Sequence, residues 1–202
     1  MSIAAADRYW HVFDALYGAY LDSVRGFALN LKHYAVDADR LDSSLRKRHP
    51  DALSPSRETS FIAYGRRNSD ASTDYVHSCT VPRFLKRNAP VGANEVLLGR
   101  MLIISAYQYW DSEFRQAIAD EVEVALDRVM VPVFGDLRRL RNAILHGGGR
   151  ADGHCGALQV LRPWAVGVQI EPDQPHIDQI AEKLLAFVEG ASAGDFGAWA
   201  AG

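Results

Sequence analysis

The segment from Asn94 to Ile118 restricts the fold of this chain more than any other part of the sequence. If it forms one helix, apolar side chains cover nearly all sides of that helix: Val96, Leu97, Leu98, Met101, Leu102, Ile103, Ile104, Tyr107, Trp110, Phe114 and Ile118. A helix that is apolar on nearly every side is buried among other elements. The sequence therefore predicts a central helix that other helices surround.

Two amphipathic segments predict such surrounding helices. Apolar residues recur at helical spacing over residues 10–31, and this helix can continue to the residue before Pro50. Nearer the other end, Pro175 opens an amphipathic segment that Gly190 terminates. Helical spacing in both segments favours a fold built mainly of helices.

The remaining segments differ in texture. Residues 122–131 predict a further helix that is broken near Pro132. Residues 51–94 are rich in Ser, Pro, Gly, Asn and Arg and predict a long irregular insertion, and residues 191–202 predict a flexible tail. Short apolar runs over residues 157–170 predict a small β-hairpin. The expected architecture is a mainly α fold, a bundle of four to five helices with this hairpin, in a single domain of 202 residues.

Composition limits the classes of partner. The formal net charge is −3, which argues against a protein that holds nucleic acid through a basic surface overall, although it permits a local basic cleft. The apolar run from Val96 to Ile104 is interrupted by Arg100 and is too short to span a membrane. The first residues predict no signal peptide, and the two cysteines indicate no disulfide framework, so a cytoplasmic location and no membrane partner are expected.

Residues 137–150 read LRRLRNAILHGGGR and form the most unusual stretch of the chain. From Arg138 to Arg150 there are four arginines, an asparagine and a histidine but no acid. On a helical wheel Asn142 and His146 lie on the side away from the apolar residues, and Arg139 falls on that same side. Such a helix end suits acid–base chemistry, because histidine titrates near neutral pH.

These residues carry a resemblance to a known family. The hexapeptide RNAILH, residues 141–146, resembles the Arg-x(4–6)-His motif of the HEPN superfamily, in which a polar residue often follows the arginine. Residues 135–138 and the glycines after the histidine are similar to members of that family. Residues 109–115, YWDSEFR, resemble the aromatic–acid–arginine segment that related bacterial members carry on the preceding helix. The resemblance extends over residues 94–150.

The resemblance implies a HEPN-like bundle of four or five helices, usually a homodimer, that cuts single-stranded RNA without a metal ion. His146 would act as the general acid or base, and Arg141 would stabilise the charge that develops on the phosphate. Asn142 would orient the histidine or the phosphate. The family also implies a role in phage defence, a toxin–antitoxin pair or stress response, with an antitoxin or regulatory protein as a further partner.

A dimer would bring two sets of arginines together. Arg138, Arg139 and Arg150, doubled across a two-fold axis, would make a basic cleft for RNA on a chain of negative net charge. Asp111 and Glu113 are interpreted as structural partners of nearby arginines, because carboxylates two residues apart on a helix point in different directions.

Two alternatives accompany this hypothesis. Some HEPN proteins have lost catalysis, so the chain is alternatively a silent module that binds RNA, a nucleotide or a protein partner. The second alternative is a purely structural bundle in which Arg141 and His146 have no chemical role. The spacing of histidines and cysteines matches no common zinc pattern, so no metal site and no cofactor are predicted.

Overall fold

The structure is a computed structural model that describes residues 3–48, 61–70 and 72–193. The structure is mainly helical and contains one small antiparallel hairpin in its described part, which confirms the predicted fold class. The chain, predicted as one domain, divides into two compact units: Met1–Asp22 with Val96–Gly202, and Ser23–Glu95. In chain order the elements are α1 (Ala4–Arg48), β1 (Phe61–Arg67), β2 (Thr73–Thr80), α2 (Val81–Asn88), α3 (Ala93–Tyr109), a π-helical turn (Trp110–Phe114), α4 (Arg115–Glu121), a 3-10 turn (Leu126–Arg128), α5 (Pro132–His146), a 3-10 turn (Cys155–Ala157) and α6 (Gln174–Ser192).

The first, central and last helices are where the sequence predicts them. Helix α1 runs without interruption to Arg48. The central segment is helical from Ala93 to Glu121, with the π-helical turn between α3 and α4. Helix α6 begins at Gln174. Asp173 is its N-cap residue, because the Asp173 side chain accepts a hydrogen bond from the His176 amide.

The predicted position of the β-hairpin is wrong. Strands β1 and β2 pair within residues 61–80, whereas residues 157–170 contain turns and a single isolated bridge between Arg150 and Gln169. The backbone amides of residues 159–161 donate to the side chain of Asp136, so they are not available to a partner strand. Hydrogen bonds to the Asp136 carboxylate thus take the place of the interstrand hydrogen bonds that the predicted hairpin would form.

The segment over residues 51–94 is also more regular than predicted. Its first ten residues, 51–60, lie outside the described part of the chain, but residues 61–88 form the hairpin and then α2. A small apolar cluster holds these elements together: Ile62, Cys79, Val81 and Phe84, with Tyr34 of α1 and Leu85 packed against it. The insertion therefore has a core of its own within the unit Ser23–Glu95.

Two further boundaries differ from the prediction. Residues 122–131 form turns and a short 3-10 helix in place of an α-helix, and Pro132 begins α5. Proline suits a first helical position, because its fixed φ is already helical and its missing N–H has no helical partner there. At the chain end α6 continues to Ser192 with Ala191 fully buried, and the rest of the predicted tail, residues 194–202, lies outside the described residues.

An aromatic cluster lies at the centre of the larger unit. The rings of Trp110 and Phe134 stack with centroids 3.7 Å apart and an interplanar angle of 3°. Tyr9 meets Trp110, Phe114 and Phe134 edge-on, and Phe187 meets Trp110 and Phe134 in the same way. Buried aromatic residues supply large apolar area. The cluster therefore joins α1, the π-helical turn, α5 and α6.

Tyr9 also makes a polar contact inside this cluster. Its hydroxyl donates to the carbonyl oxygen of Ala106 at 3.0 Å, and its side chain is fully buried. Burial raises the pKa of Tyr9 far above its ordinary value, so the phenol stays protonated. None of the helices in the described ranges is long and apolar enough to cross a membrane.

We expect two substitutions at Tyr9 to separate packing from hydrogen bonding. Tyr9→Phe should lower the free energy of unfolding by about 1 kcal/mol, because only one hydrogen bond is lost. Tyr9→Ala should lower it by roughly 3–5 kcal/mol, because it leaves a cavity among the rings. Urea unfolding followed by circular dichroism measures both, with Tyr64→Phe at an exposed site of the hairpin as the control. Similar losses for both substitutions would contradict the central packing role.

Candidate functional site

Helix α5 presents three polar side chains along its outer side. Arg138, Asn142 and His146 follow one another at intervals of four residues, so they lie along one face. Arg138 and His146 are exposed and Asn142 is half-buried. The inner side is apolar, with Leu137 and Leu140 fully buried. Packing of the inner side thus directs the polar residues of the motif outward.

Arg141 lies between these two sides of the helix. It is half-buried, and its Nη1 donates to Oδ1 of the neighbouring Asn142 at 3.0 Å. Its Nε is buried without a hydrogen-bond partner in the described structure. No ion pair joins Arg141 to a carboxylate within the described ranges, so the guanidinium keeps its positive charge without a neutralising partner.

Asn142, for which the resemblance implies a role in orienting the histidine or the phosphate, forms no hydrogen bond with His146 in the described structure. The side-chain oxygen of Asn142 accepts from Arg141 instead. His146 is the last residue of α5 and is exposed. Asn142 is therefore a partner of Arg141 in this arrangement, and the histidine is free to turn toward a ligand.

The three glycines after His146 have a structural reason. Gly148 and Gly149 adopt φ values of +62° and +76°, which residues with a side chain rarely adopt. The amides of Gly147 and Gly149 both donate to the carbonyl of Ala143, which ends the helix in a tight turn. A Cβ atom on Gly149 would lie 2.9 Å from Cζ of Arg100. Glycine is thus required both by the turn and by this close approach.

Arg100 interrupts the apolar run of α3 in the sequence, and in the structure it holds the turn in place. Its Nε donates to the carbonyl of Ile170 at 2.8 Å, and its Nη2 donates to Oε1 of Gln169 at 2.9 Å. The amide of Ile170 in turn donates to the carbonyl of Gly149. Arg100 therefore links α3 to the chain that leaves the candidate site.

Arg139, predicted to bind RNA, is engaged inside the protein instead. Its Nη1 lies 2.9 Å from Oδ1 of Asp136, a carboxylate that is completely buried. The same carboxylate accepts hydrogen bonds from three consecutive backbone amides, those of Gln159, Val160 and Leu161. A buried carboxylate needs such partners, because an unpaired one is costly. Asp136 is thus the partner of Arg139 in the described structure, and because the arginine side chain is one-third exposed, RNA binding by it stays a prediction.

The other two predicted RNA-binding arginines remain at the surface. Arg150 is exposed, and its Nη1 donates to the carbonyl of Gly167 at 2.9 Å. Arg138 is exposed and forms no hydrogen bond or ion pair with the residues that the structure describes. Both guanidinium groups are therefore accessible, and RNA binding by them stays a prediction.

Asp111 and Glu113 form no ion pair with an arginine in the described part of the chain. Both are exposed, and Oδ1 of Asp111 accepts a hydrogen bond from the hydroxyl of Tyr107 at 3.1 Å. Burial, together with the negative charge of Asp111, raises the pKa of Tyr107, while Arg138 and Arg115 act in the opposite direction. The predicted pairing of these two acids with arginines is wrong, and Asp111 is a partner of Tyr107.

Metal-binding groups and thiol chemistry receive no support from the geometry. Within residues 3–48, 61–70 and 72–193, no three His, Cys, Asp or Glu side chains are grouped so that they can hold a metal ion. Burial raises the pKa of the Cys155 thiol, which disfavours the reactive thiolate.

Comparisons of the chain with protein-family models, with curated proteins and with solved structures gave no match. The HEPN resemblance therefore stays a prediction that depends on the motif residues and on their arrangement on α5.

We expect Asp136→Ala to lower the free energy of unfolding by roughly 3–5 kcal/mol, because it leaves Arg139 and three inward-facing amides without their acceptor. Arg139→Gln should cost less, about 1–2 kcal/mol, because the buried carboxylate keeps its three backbone amide donors and the arginine side chain is one-third exposed. Chemical denaturation measures both. Equal losses would contradict the view that Asp136 serves mainly the backbone of residues 159–161.

Proposed function

We propose that the chain is a HEPN-type endoribonuclease that cuts single-stranded RNA without a metal ion and works as a homodimer. One observation carries the proposal: Arg141, Asn142 and His146 lie together on the last turns of α5, with Arg141 bonded to Asn142 and His146 exposed at the helix end. The proposal concerns RNA because the implied reaction uses the ribose 2′-hydroxyl, and it concerns single strands because the resemblance implies them.

In this reaction the 2′-oxygen attacks the adjacent phosphorus, and the bond between phosphorus and the 5′-oxygen breaks. One product ends in a 2′,3′-cyclic phosphate and the other in a 5′-hydroxyl. A proton leaves the 2′-hydroxyl and a proton reaches the departing 5′-oxygen, and His146 is suited to either transfer. Arg141 suits the phosphate, because its guanidinium is not neutralised by a described carboxylate and an arginine donates to phosphate oxygens in pairs.

Exposed apolar side chains support the dimer. Leu97 and Met101, one turn apart on α3, are 56% and 53% exposed, and Leu145 of α5, next to His146, is 47% exposed. Large apolar groups that recur on one helix face commonly mark an interaction surface. A second copy on these residues would bring two sets of α5 arginines together and concentrate positive charge on an acidic chain.

The cellular role belongs to the same proposal and is inferred from the resemblance: phage defence, a toxin–antitoxin pair or a stress response. A nuclease of this kind requires control in its host, so an antitoxin or regulatory protein is the expected partner.

A second candidate function is a silent HEPN module that binds RNA, a nucleotide or a protein. The observation that favours it is the use of the Asn142 oxygen by Arg141, which leaves the imidazole of His146 without an orienting partner in the described structure. This candidate predicts binding without cleavage.

We expect the wild-type protein to cut labelled single-stranded RNA in the presence of EDTA, and His146→Ala to lower the rate at least about 100-fold, because the proton transfer is lost. His154→Ala is the matched control, since His154 is an exposed histidine of the same unit that lies outside α5. DNA of the same sequence should remain intact, and the RNA fragments should end in cyclic phosphate.

Other results would redirect the assignment. Equal cutting by wild type and His146→Ala would mean that a contaminant acts or that the site is elsewhere. No cutting of several RNAs by either folded protein would favour the silent module.

We expect Met101→Glu to produce a monomer that keeps its fold and loses the nuclease activity, because a carboxylate replaces an exposed apolar contact. Analytical ultracentrifugation measures the mass, and thermal melting checks the fold. His146→Ala should remain dimeric in the same experiment. A wild-type monomer, or an active Met101→Glu monomer, would contradict the dimeric site.

A further inference from the structure

A small pocket lies between the π-helical turn, the segment before α5 and the first half of α5. Its volume is about 240 Å³, and its lining includes Trp110, Phe134 and three arginines, Arg115, Arg138 and Arg139. All of these residues belong to the larger unit. Pockets that hold drug-sized ligands are commonly about 300–1,000 Å³, so this one suits a smaller group.

The charged side chains that line the pocket are all positive. Among the described residues that line it there is no Asp or Glu. Arg139 is paired with the buried Asp136, but Arg138 forms no hydrogen bond or ion pair with a described residue. Arg115 uses only its Nε, which donates to the carbonyl of Val129 at 3.1 Å. Asp111 lies near Arg115 and Arg138, but its carboxylate accepts from the Tyr107 hydroxyl, forms no ion pair within the described residues and does not line the pocket. Two arginines that have no ion-pair partner among the described residues therefore lie beside one concavity.

Such an arrangement fits a phosphate group better than a carboxylate or an apolar ligand. Guanidinium groups bind phosphate oxygens in pairs, and a partly enclosed site strengthens the attraction relative to water. The aromatic floor excludes water from one side of the pocket, because Trp110 and Phe134 are buried and stacked. Without an anion, the two like charges would repel each other across the pocket.

The pocket is separate from the proposed cleavage site. Arg138 and His146 are eight residues apart on α5, which places them about 12 Å apart along the helix axis. Both face outward on the same side of the helix. One ligand that extends along this side would reach both places.

We propose that this pocket, with Arg115 and Arg138 as its anion-binding groups, holds a nucleotide phosphate at a distance from the bond that is cut. The inference rests on the proposed function for the source of that phosphate, an RNA strand. A free mononucleotide has the same chemistry and is the other source that the experiment distinguishes.

The experiment measures binding apart from cleavage. The RNA is a short single strand with 2′-O-methyl sugars, which lack the attacking hydroxyl, and uridine 5′-monophosphate is titrated separately. Three pocket variants are used: Arg115→Gln, Arg138→Gln and Gly135→Leu. Gly135 lines the pocket, and a Cβ there meets nothing within 4 Å, so the new side chain enters open space without a change of charge.

Each variant has a matched control. Arg162→Gln removes an exposed arginine of the same unit that does not line the pocket. Gly190→Leu places the same side chain on α6, where a Cβ also meets nothing within 4 Å. Thermal melting checks all folds. If Arg115→Gln unfolds because its bond to Val129 is lost, Gly135→Leu and Arg138→Gln carry the test.

We expect each pocket variant to weaken RNA binding roughly 10-fold relative to its control. For the arginine variants, the slope of log affinity against log salt should fall by about 0.7, the value for one phosphate contact on a single strand. The same losses for the mononucleotide, with RNA binding unchanged, would assign the pocket to a free nucleotide.

Two results would overturn the proposal. The first is binding of both ligands that is the same in pocket variants and controls. The second is a loss with Arg138→Gln alone, which would make Arg138 a surface contact and leave the pocket without a ligand. Failure of the proposed nuclease is distinguishable, because it would abolish cutting by the wild type and leave these binding measurements intact.

Discussion

The stacked pair of Trp110 and Phe134 is the contact on which the arrangement of the larger unit depends. The two rings lie parallel at 3.7 Å, and Tyr9 and Phe187 close around them. Because Phe134 is held inward near the start of α5, the rotation of that helix about its own axis is fixed. The outward position of residues 138, 142 and 146 follows from this rotation, and so does the floor of the pocket beside Arg138. This aromatic contact, together with the buried Leu137 and Leu140, thus sets the orientation of both candidate sites.

The π-helical turn is the backbone counterpart of this stack. It occupies Trp110–Phe114, where the central helix leaves regular α geometry, and both of its end residues are buried in the aromatic cluster. Single π-helical turns inside α-helices are frequent at functional sites. Here Arg115, the first residue after the turn, lines the pocket, and Asp111 within the turn accepts a hydrogen bond from Tyr107.

The sequence predicts what depends on local periodicity and misses what depends on distant partners. The helical character of the central segment was predictable from its apolar spacing, but the exposure of Leu97 and Met101 contradicts the prediction that other helices surround it on every side. The outward face of α5 follows from four-residue spacing. The hairpin was misplaced because residues 157–161 are mostly apolar and lie between Gly156 and Pro163, as a strand would. The amides of residues 159–161 bind Asp136, an acid more than twenty positions away, and such a contact has no periodic signal. Arg139 pairs with Asp136, which is only three residues before it, whereas Arg100 and Arg115 acquire their roles only from contacts in three dimensions.

In the turn after His146, the absence of a side chain at Gly149 is itself a structural requirement of the candidate site. Gly149 makes room for the guanidinium of Arg100, which binds the chain at residues 169 and 170. Neither residue performs chemistry, yet each occupies space that the other must leave. In evolutionary terms the constraint runs one way: a lineage that keeps Arg100 cannot enlarge residue 149 without moving the guanidinium, whereas a lineage that shortens the arginine still needs glycine there for the positive φ.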